Sequence, residues 1–196
     1  MAVIVINPPD EPLVSLEEAR EHLGVDYDDA DELIERLIVQ IGSHLDGPEG
    51  LLQRALGEQT LEMVEDGFPS CSPYALKLRC PPVTTIDSVE YTDTDGVEQT
   101  LATSVYRLLG DGTPNPRIVL AYNQSWPSIR SEHEAVRVRY TAGYGAENLP
   151  AAIKAAILLM IGDLFAFRET AQVGSSSSEV PLSASVVALL APYRVF

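Results

Sequence analysis

Basic residues are scarce in this sequence: 13 lysines and arginines stand against 29 aspartates and glutamates in 196 residues, a formal charge of −16. Gripping nucleic-acid phosphates takes lysine and arginine to displace counterions, so tight binding of DNA is not expected. Cysteine is nearly absent, with only Cys71 and Cys80. They flank a short extended stretch that holds its ends too far apart for a bridge unless the chain folds back, so both are read as free thiols of a reducing cell. No apolar run reaches the ~20 residues that a bilayer demands, because the longest, from Ala151 to Phe167, is broken by Lys154 and Asp163. The opening run "AVIVI" has no positive charge before it and is too short for the core of a secretory signal, so no export is expected.

What the sequence does have is periodicity. "SLEEAREHLGV" carries Ser15 and, three residues on, Glu18, the spacing of a capping box; Leu16, Ala19 and Leu23 then keep helical spacing up to Gly24. A second helix is expected over "DDADELIERLIVQIGSHL", capped by Asp28 or Asp29, with Leu33, Ile34, Leu37, Ile38, Ile41 and Leu45 on one stripe. It ends at "DGPEG", where Gly47 and Pro48 break any helix.

From Glu58 the apolar period changes to two. "EQTLEMVEDGF", "ALKLRC", two arms of "IDSVEYTDTDGVEQTL", "VYRLL", "RIVLAY" and "AVRVRYTA" read as seven short strands of an antiparallel sheet, with Asp95-Gly96 as a two-residue type I′ hairpin turn. Helix then returns from Pro150 to Glu169, apolar on nearly all faces and so in need of cover on several sides. "AQVGSSSSEVP" is a Gly/Ser linker, and "LSASVVALLAPYRVF" after it is a short apolar terminus. That terminus either docks on a partner or folds back onto the chain's own core. The expected class is α+β: a small helical bundle, formed by the N-terminal helices (1–57) and a late apolar helix (143–171), with an antiparallel β-domain inserted at 58–142 and a linker plus docking segment at 172–196.

Chemistry finds little footing. In "TAGYGAENLPAAIK" a third glycine would be needed where Asn148 stands, Glu147 would repel a phosphate, and Pro150 has no amide hydrogen to donate. Gly143 and Gly145 are instead expected to supply positive φ to a tight strand-to-helix turn closed by Pro150. His22, His44 and His133 lack the spacing of a metal site. Asp93 and Asp95 belong to a hairpin and not to a calcium loop, which would run on to a twelfth-position glutamate between helices. Asp163 is read as a residue that caps a helix crossing or pairs with a basic side chain such as Arg168 or Arg36, over the alternative of a buried catalytic acid. No catalytic, cofactor-binding or metal-binding residue is expected, and the chain is not read as an enzyme. The rival reading is a small acidic hydrolase or carbohydrate-binding domain using Asp93, Asp95 and Asp163, with Trp126 as a stacking platform.

Taken in order, "SLEEAREHLGVDYDDADELIERLI", "GEQTLEMVEDGFP", "LRCPPVTTIDSVEYTDTDGVEQTL" with "YRL", "VRVRYTAGYG" before a proline-led apolar helix, and "ALLAPYRV" resemble the head-tail connector (adaptor) family of long-tailed bacteriophages, in the branch with a β-domain inserted between helices. The resemblance spans almost the whole chain. It departs at "IGSHLDGPEGLLQRAL", where related chains run an uninterrupted helix into the "GEQT" strand. The resemblance implies a structural ring, usually twelvefold, below the portal protein at the capsid vertex, extending the DNA channel and joining head to tail or stopper protein. DNA would pass without specific binding, in keeping with an acidic wall that repels phosphates over a Debye length of ~8 Å. It implies assembly in the host cytoplasm, residence in the virion, no membrane and no cofactor. On the apolar terminus, Leu189, Leu190, Tyr193, Arg194, Val195 and Phe196 are the candidates for docking on the portal. Contacts between subunits of this charge call for basic residues such as Arg36, Arg54, Arg137 and Arg139 against acidic neighbours.

Overall fold

A computed structural model describes residues 2–70, 74–145, 148–166 and 183–195. Its class is α+β, with four α-helices beside antiparallel sheets. Helix α1 (Leu16–Leu23) starts with the capping box that its sequence calls for. The Ser15 hydroxyl accepts the Glu18 amide hydrogen at 3.2 Å, while the Glu18 carboxylate accepts that of Ser15 at 3.0 Å. Gly24, at φ 66°, ends the helix, and the next amide, Val25, donates back to the Arg20 carbonyl at 3.1 Å.

Helix α2 (Asp31–Leu45) follows a 3₁₀ turn over Asp28–Ala30. Neither Asp28 nor Asp29 caps it: the cap position is Ala30, which has no side chain to offer. The reason lies on α1, where Arg20 draws the Asp28 carboxylate to 3.0 Å and that of Asp31 to 3.2 Å. The expected stripe is buried through Ile34, Leu37, Ile38, Ile41 and Leu45, with Leu33 half-buried. It meets Ile153, Ala156, Ile157 and Ile161 of α3 (Ala151–Ala166). Each fully buried leucine or isoleucine of this contact contributes about 1.5–3 kcal/mol. Lys154 of α3 reaches the Glu18 carboxylate at 2.7 Å, tying α3 to the head of α1. Helix α4 (Ala184–Leu190) completes the bundle through Val186 and Leu190. Among the described residues the cover of α3 is incomplete, since Leu158, Leu159, Met160 and Leu164 stay half-buried.

Among the described residues eight strands form two sheets, where a single sheet of seven was expected. In the larger, antiparallel throughout, β1 (Ala2–Asn7), β2 (Gln59–Glu65), β8 (Val136–Ala142), β4 (Val83–Thr92) and β5 (Glu98–Thr100) lie side by side in that order. The smaller has the order β3 (Leu76–Lys77), β7 (Arg117–Leu120), β6 (Tyr106–Leu109). The β2–β8 register sets Leu61 opposite Tyr140 and Met63 opposite Val138 on the buried face, and Glu62 opposite Arg139 on the other, where the pair closes at 2.8 Å. The smaller sheet lays Leu76, Ile118 and Tyr106 onto that same buried face, which is why the strands divide into two layers. The Tyr140 hydroxyl donates to the Arg79 carbonyl at 2.8 Å and so is satisfied within the core.

The turn between β4 and β5 also differs from expectation. The Gly96 amide donates to the Asp93 carbonyl at 3.0 Å and Gly96 is at φ 84°, so the connection is a turn with a left-handed glycine after it, one residue longer than a type I′ loop. The Asp93 carboxylate stabilises the longer loop by accepting the Asp95 and Val97 amides at 3.0 and 2.9 Å.

Candidate functional site

The corner at Gly143 is where β8 hands the chain to α3. Gly143 has φ 122° and Gly145 φ 68°. The Gly143 amide donates to the Pro82 carbonyl at 2.9 Å and the Tyr144 amide to the Leu56 carbonyl at 3.0 Å. Both amide hydrogens are consumed by backbone, so neither points at a space where an anion could sit. At the helix start, the Pro150 carbonyl accepts the Ile153 and Lys154 amides. Glu147 lies outside the described residues.

Beside this corner runs the segment "IGSHLDGPEGLLQRAL". After α2 the chain folds into a compact loop around one carboxylate: Asp46 accepts the Leu56 amide at 2.7 Å, the Gly57 amide at 3.4 Å and the Gln59 side-chain amide at 2.9 Å. Burial pushes the Asp46 carboxyl above its usual range, although these hydrogen bonds pull the other way. Leu52 and Leu56 plug the bundle core while Ala55 joins that of the sheets, so the loop belongs to both. Arg54 is buried beside it, donating to the Tyr144 hydroxyl at 3.2 Å and to the Tyr193 carbonyl. Arg54 is thus an internal clamp and is not available to a neighbouring subunit. Arg137 and Arg139 face Glu98 and Glu62 of their own chain, at 3.5 and 2.8 Å.

The C-terminal segment closes over the same place. Helix α4 and the 3₁₀ turn Ala191–Tyr193 pack on the bundle, and the Val195 amide donates to the Leu52 carbonyl at 3.2 Å. Of the docking candidates, Leu190 is buried in the chain's own core and cannot dock elsewhere in this conformation, Leu189 and Tyr193 pack partly against that core, and Arg194 is exposed. Phe196 and the whole Gly/Ser linker lie outside the described residues. Of the two sequence readings, the structure has the described terminus folded back.

The residues considered for chemistry do not converge. Asp163 is exposed on α3, so it is not a buried acid; Arg168, one of its expected partners, is outside the described residues. The Val97 amide first, then the Gln99 side chain, hold the Asp93 carboxyl below its usual range, which commits it to the hairpin. Trp126 is stacked on Phe68 with ring centroids 4.6 Å apart, so one of its faces is already covered. His22 and His44 are exposed, and exposed His133 faces only Asp66, at 3.4 Å. Cys80 is free and buried, its thiol pushed up to about 12, and Cys71 is outside the described residues. Among the described residues no three His, Cys, Asp or Glu side chains group as metal ligands, and no helix is long and apolar enough to cross a membrane.

No protein-family model matches the sequence, and no curated protein does. Solved structures do match, over the full length. A chain in the neck of an empty GTA particle computed with C6 symmetry superposes with a TM-score of 0.72 at 21% identity, covering 100% of this chain and 96% of that one. The chain has that fold. A chain in the neck of a native GTA particle computed with C12 symmetry gives 0.68 at 22% identity, and one in the virion of a native gene transfer agent particle gives 0.68 at 21%, each over 100% of this chain and 96% of the other.

Proposed function

We propose that the chain is a structural subunit of the neck of a tailed phage or phage-like particle. In this reading it forms a ring, twelvefold in its usual form, under the portal protein, extends the DNA channel and offers the next tail or stopper protein a platform. The observation that carries it is the full-length likeness in fold to chains within symmetric GTA necks. A charge of −16 supports the same reading, because an acidic channel wall lets DNA slide where a basic one would hold it. No enzymatic step is assigned. The binding work is divided between surfaces that meet other copies and surfaces that meet portal and tail, and the exposed parts of 189–196 remain candidates for the portal side.

Negative-stain electron microscopy of the full chain, alone and mixed with the portal protein of its particle, tests this. Rings with a central channel that stack on the portal are the expected outcome. A stable twofold dimer under all conditions, with no rings even beside portal, overturns it.

A further inference from the structure

Two surfaces of the chain are left without partners among the described residues, and they are opposite in charge. The first is the outer face of the smaller sheet. Lys77 and Arg117 are directly opposed across β3 and β7, Leu109 is opposite Arg117 on β6, and Arg107 lies two residues before Leu109 on the same face. Like charges placed directly opposite one another destabilise a sheet. Lys77, Arg107 and Arg117 are all exposed, and none of them takes part in an ion pair among the described residues, whereas Arg20, Arg130, Arg137, Arg139 and Lys154 each have an acid of their own chain. In a chain with more than twice as many acids as bases, three unmatched cations on one small sheet are a concentrated exception. Apolar surface accompanies them: Leu109 is 36% exposed, and Tyr122, just past β7, is 92% exposed.

The second surface is a groove of about 1170 Å³ between β1 and α2. Its walls mix apolar side chains, with Ile4 50% and Val39 65% exposed, with the acids Asp10, Glu11, Glu35 and Glu49; His44 lines it too, and among the described residues no lysine or arginine does. One wall, β1, is the outermost strand of its sheet and leaves an unpaired backbone edge, a feature that soluble chains normally cover or blunt with charge.

We propose that the outer face of the three-stranded sheet of one copy docks into the β1–α2 groove of the next copy. The two surfaces share no residue, which is the requirement for a head-to-tail contact that closes into a ring. Cations against an acidic rim set the register, while Leu109 and Tyr122 meet apolar walls. This rests on the ring assembly proposed above.

The test uses two full-length variants, Arg117→Glu on the face and Glu35→Lys in the groove, followed by sedimentation velocity and microscopy. Both positions are exposed, and an acid at position 117 faces Lys77, so neither monomer should lose thermal stability. Each variant alone should self-associate at least about tenfold more weakly than wild type. An equimolar mixture of the two should regain wild-type assembly, because the reversed face of one then meets the reversed groove of the other while the remaining contacts are native. Wild-type rings that form equally well with either variant overturn the interface and leave the ring standing. A wild-type chain that stays monomeric at every concentration and beside portal overturns both. If wild-type rings are unchanged in Arg117→Glu but a measured affinity for duplex DNA is lost, the cationic face belongs to nucleic acid and the proposal fails.

Discussion

A Cβ added to Gly143 would stand 2.1 Å from the Gly57 carbonyl oxygen, closer than any side chain can approach backbone. At φ 122° the position is also strained for every residue with a side chain. Gly143→Val is therefore expected to cost about 2 kcal/mol or more in urea denaturation. Gly145→Ala, with open space around the new methyl group and only its φ of 68° against it, should cost about 1 kcal/mol. The same corner should give no heat and no thermal shift on titration with ATP, NAD or inorganic phosphate; a micromolar response would refute the structural reading of the turn.

Asp46 and Glu18 should respond to acid in opposite directions. Burial raises the Asp46 pKa, so ionising it in the folded chain costs stability as pH rises from the unfolded value near 3.8 through the folded one. Asp46→Asn removes that cost, and the stability difference between wild type and variant should shift toward wild type as the pH falls to about 4. The bond from Lys154 first, then the Ser15 amide, lower the Glu18 pKa. Its contribution is present above the unfolded value of 4.5 and lost as pH falls through the folded one, so Glu18→Gln should matter least in acid. Thermal melts of the two variants across pH would show the opposite slopes.

Removing the C-terminal segment should weaken the fold as well as any docking. Val186 and Leu190 leave the core with it, and Arg54 loses the Tyr193 carbonyl. Leu190→Ala alone should cost about 2–4 kcal/mol by chemical denaturation. Full stability in a chain cut after residue 182 would show that this packing contributes nothing.

In a Cys71→Ser background, Cys80 should resist a thiol reagent in native buffer and react on unfolding, since burial holds its thiol near 12. Rapid native labelling would contradict its placement in the core.

Much of this was legible from period and punctuation. Ser15, Glu18 and Gly24 frame α1 through local contacts only, and local contacts are what a sequence displays. Strand β1 is not legible because "AVIVI" does not alternate: it is an edge strand with Ile4, Val5 and Ile6 all exposed, and nothing local tells an exposed apolar run from a buried one. The division into two sheets was equally hidden, because it depends on which distant strands share the face of Leu61 and Met63. Arg54 reads as an ordinary surface cation, and its burial depends on Tyr144 and Tyr193, 90 and 139 residues away. The loop around Asp46 is likewise an arrangement of acceptors and amides that Gly and Pro permit but do not announce.

Gly57 stands where the passages between helices and sheets meet. A methyl group on it would touch the Pro9 ring at 2.6 Å, its carbonyl is beneath Gly143, and its amide reaches Asp46. The three covalent passages between bundle and sheets, after β1, after α2 and after β8, therefore cross at a single glycine. A protein stitched three times through one point has no lone hinge to bend or cut. A single nick by a protease in any one passage should leave two fragments that migrate together until denatured, and heat should melt helices and sheets in one cooperative step.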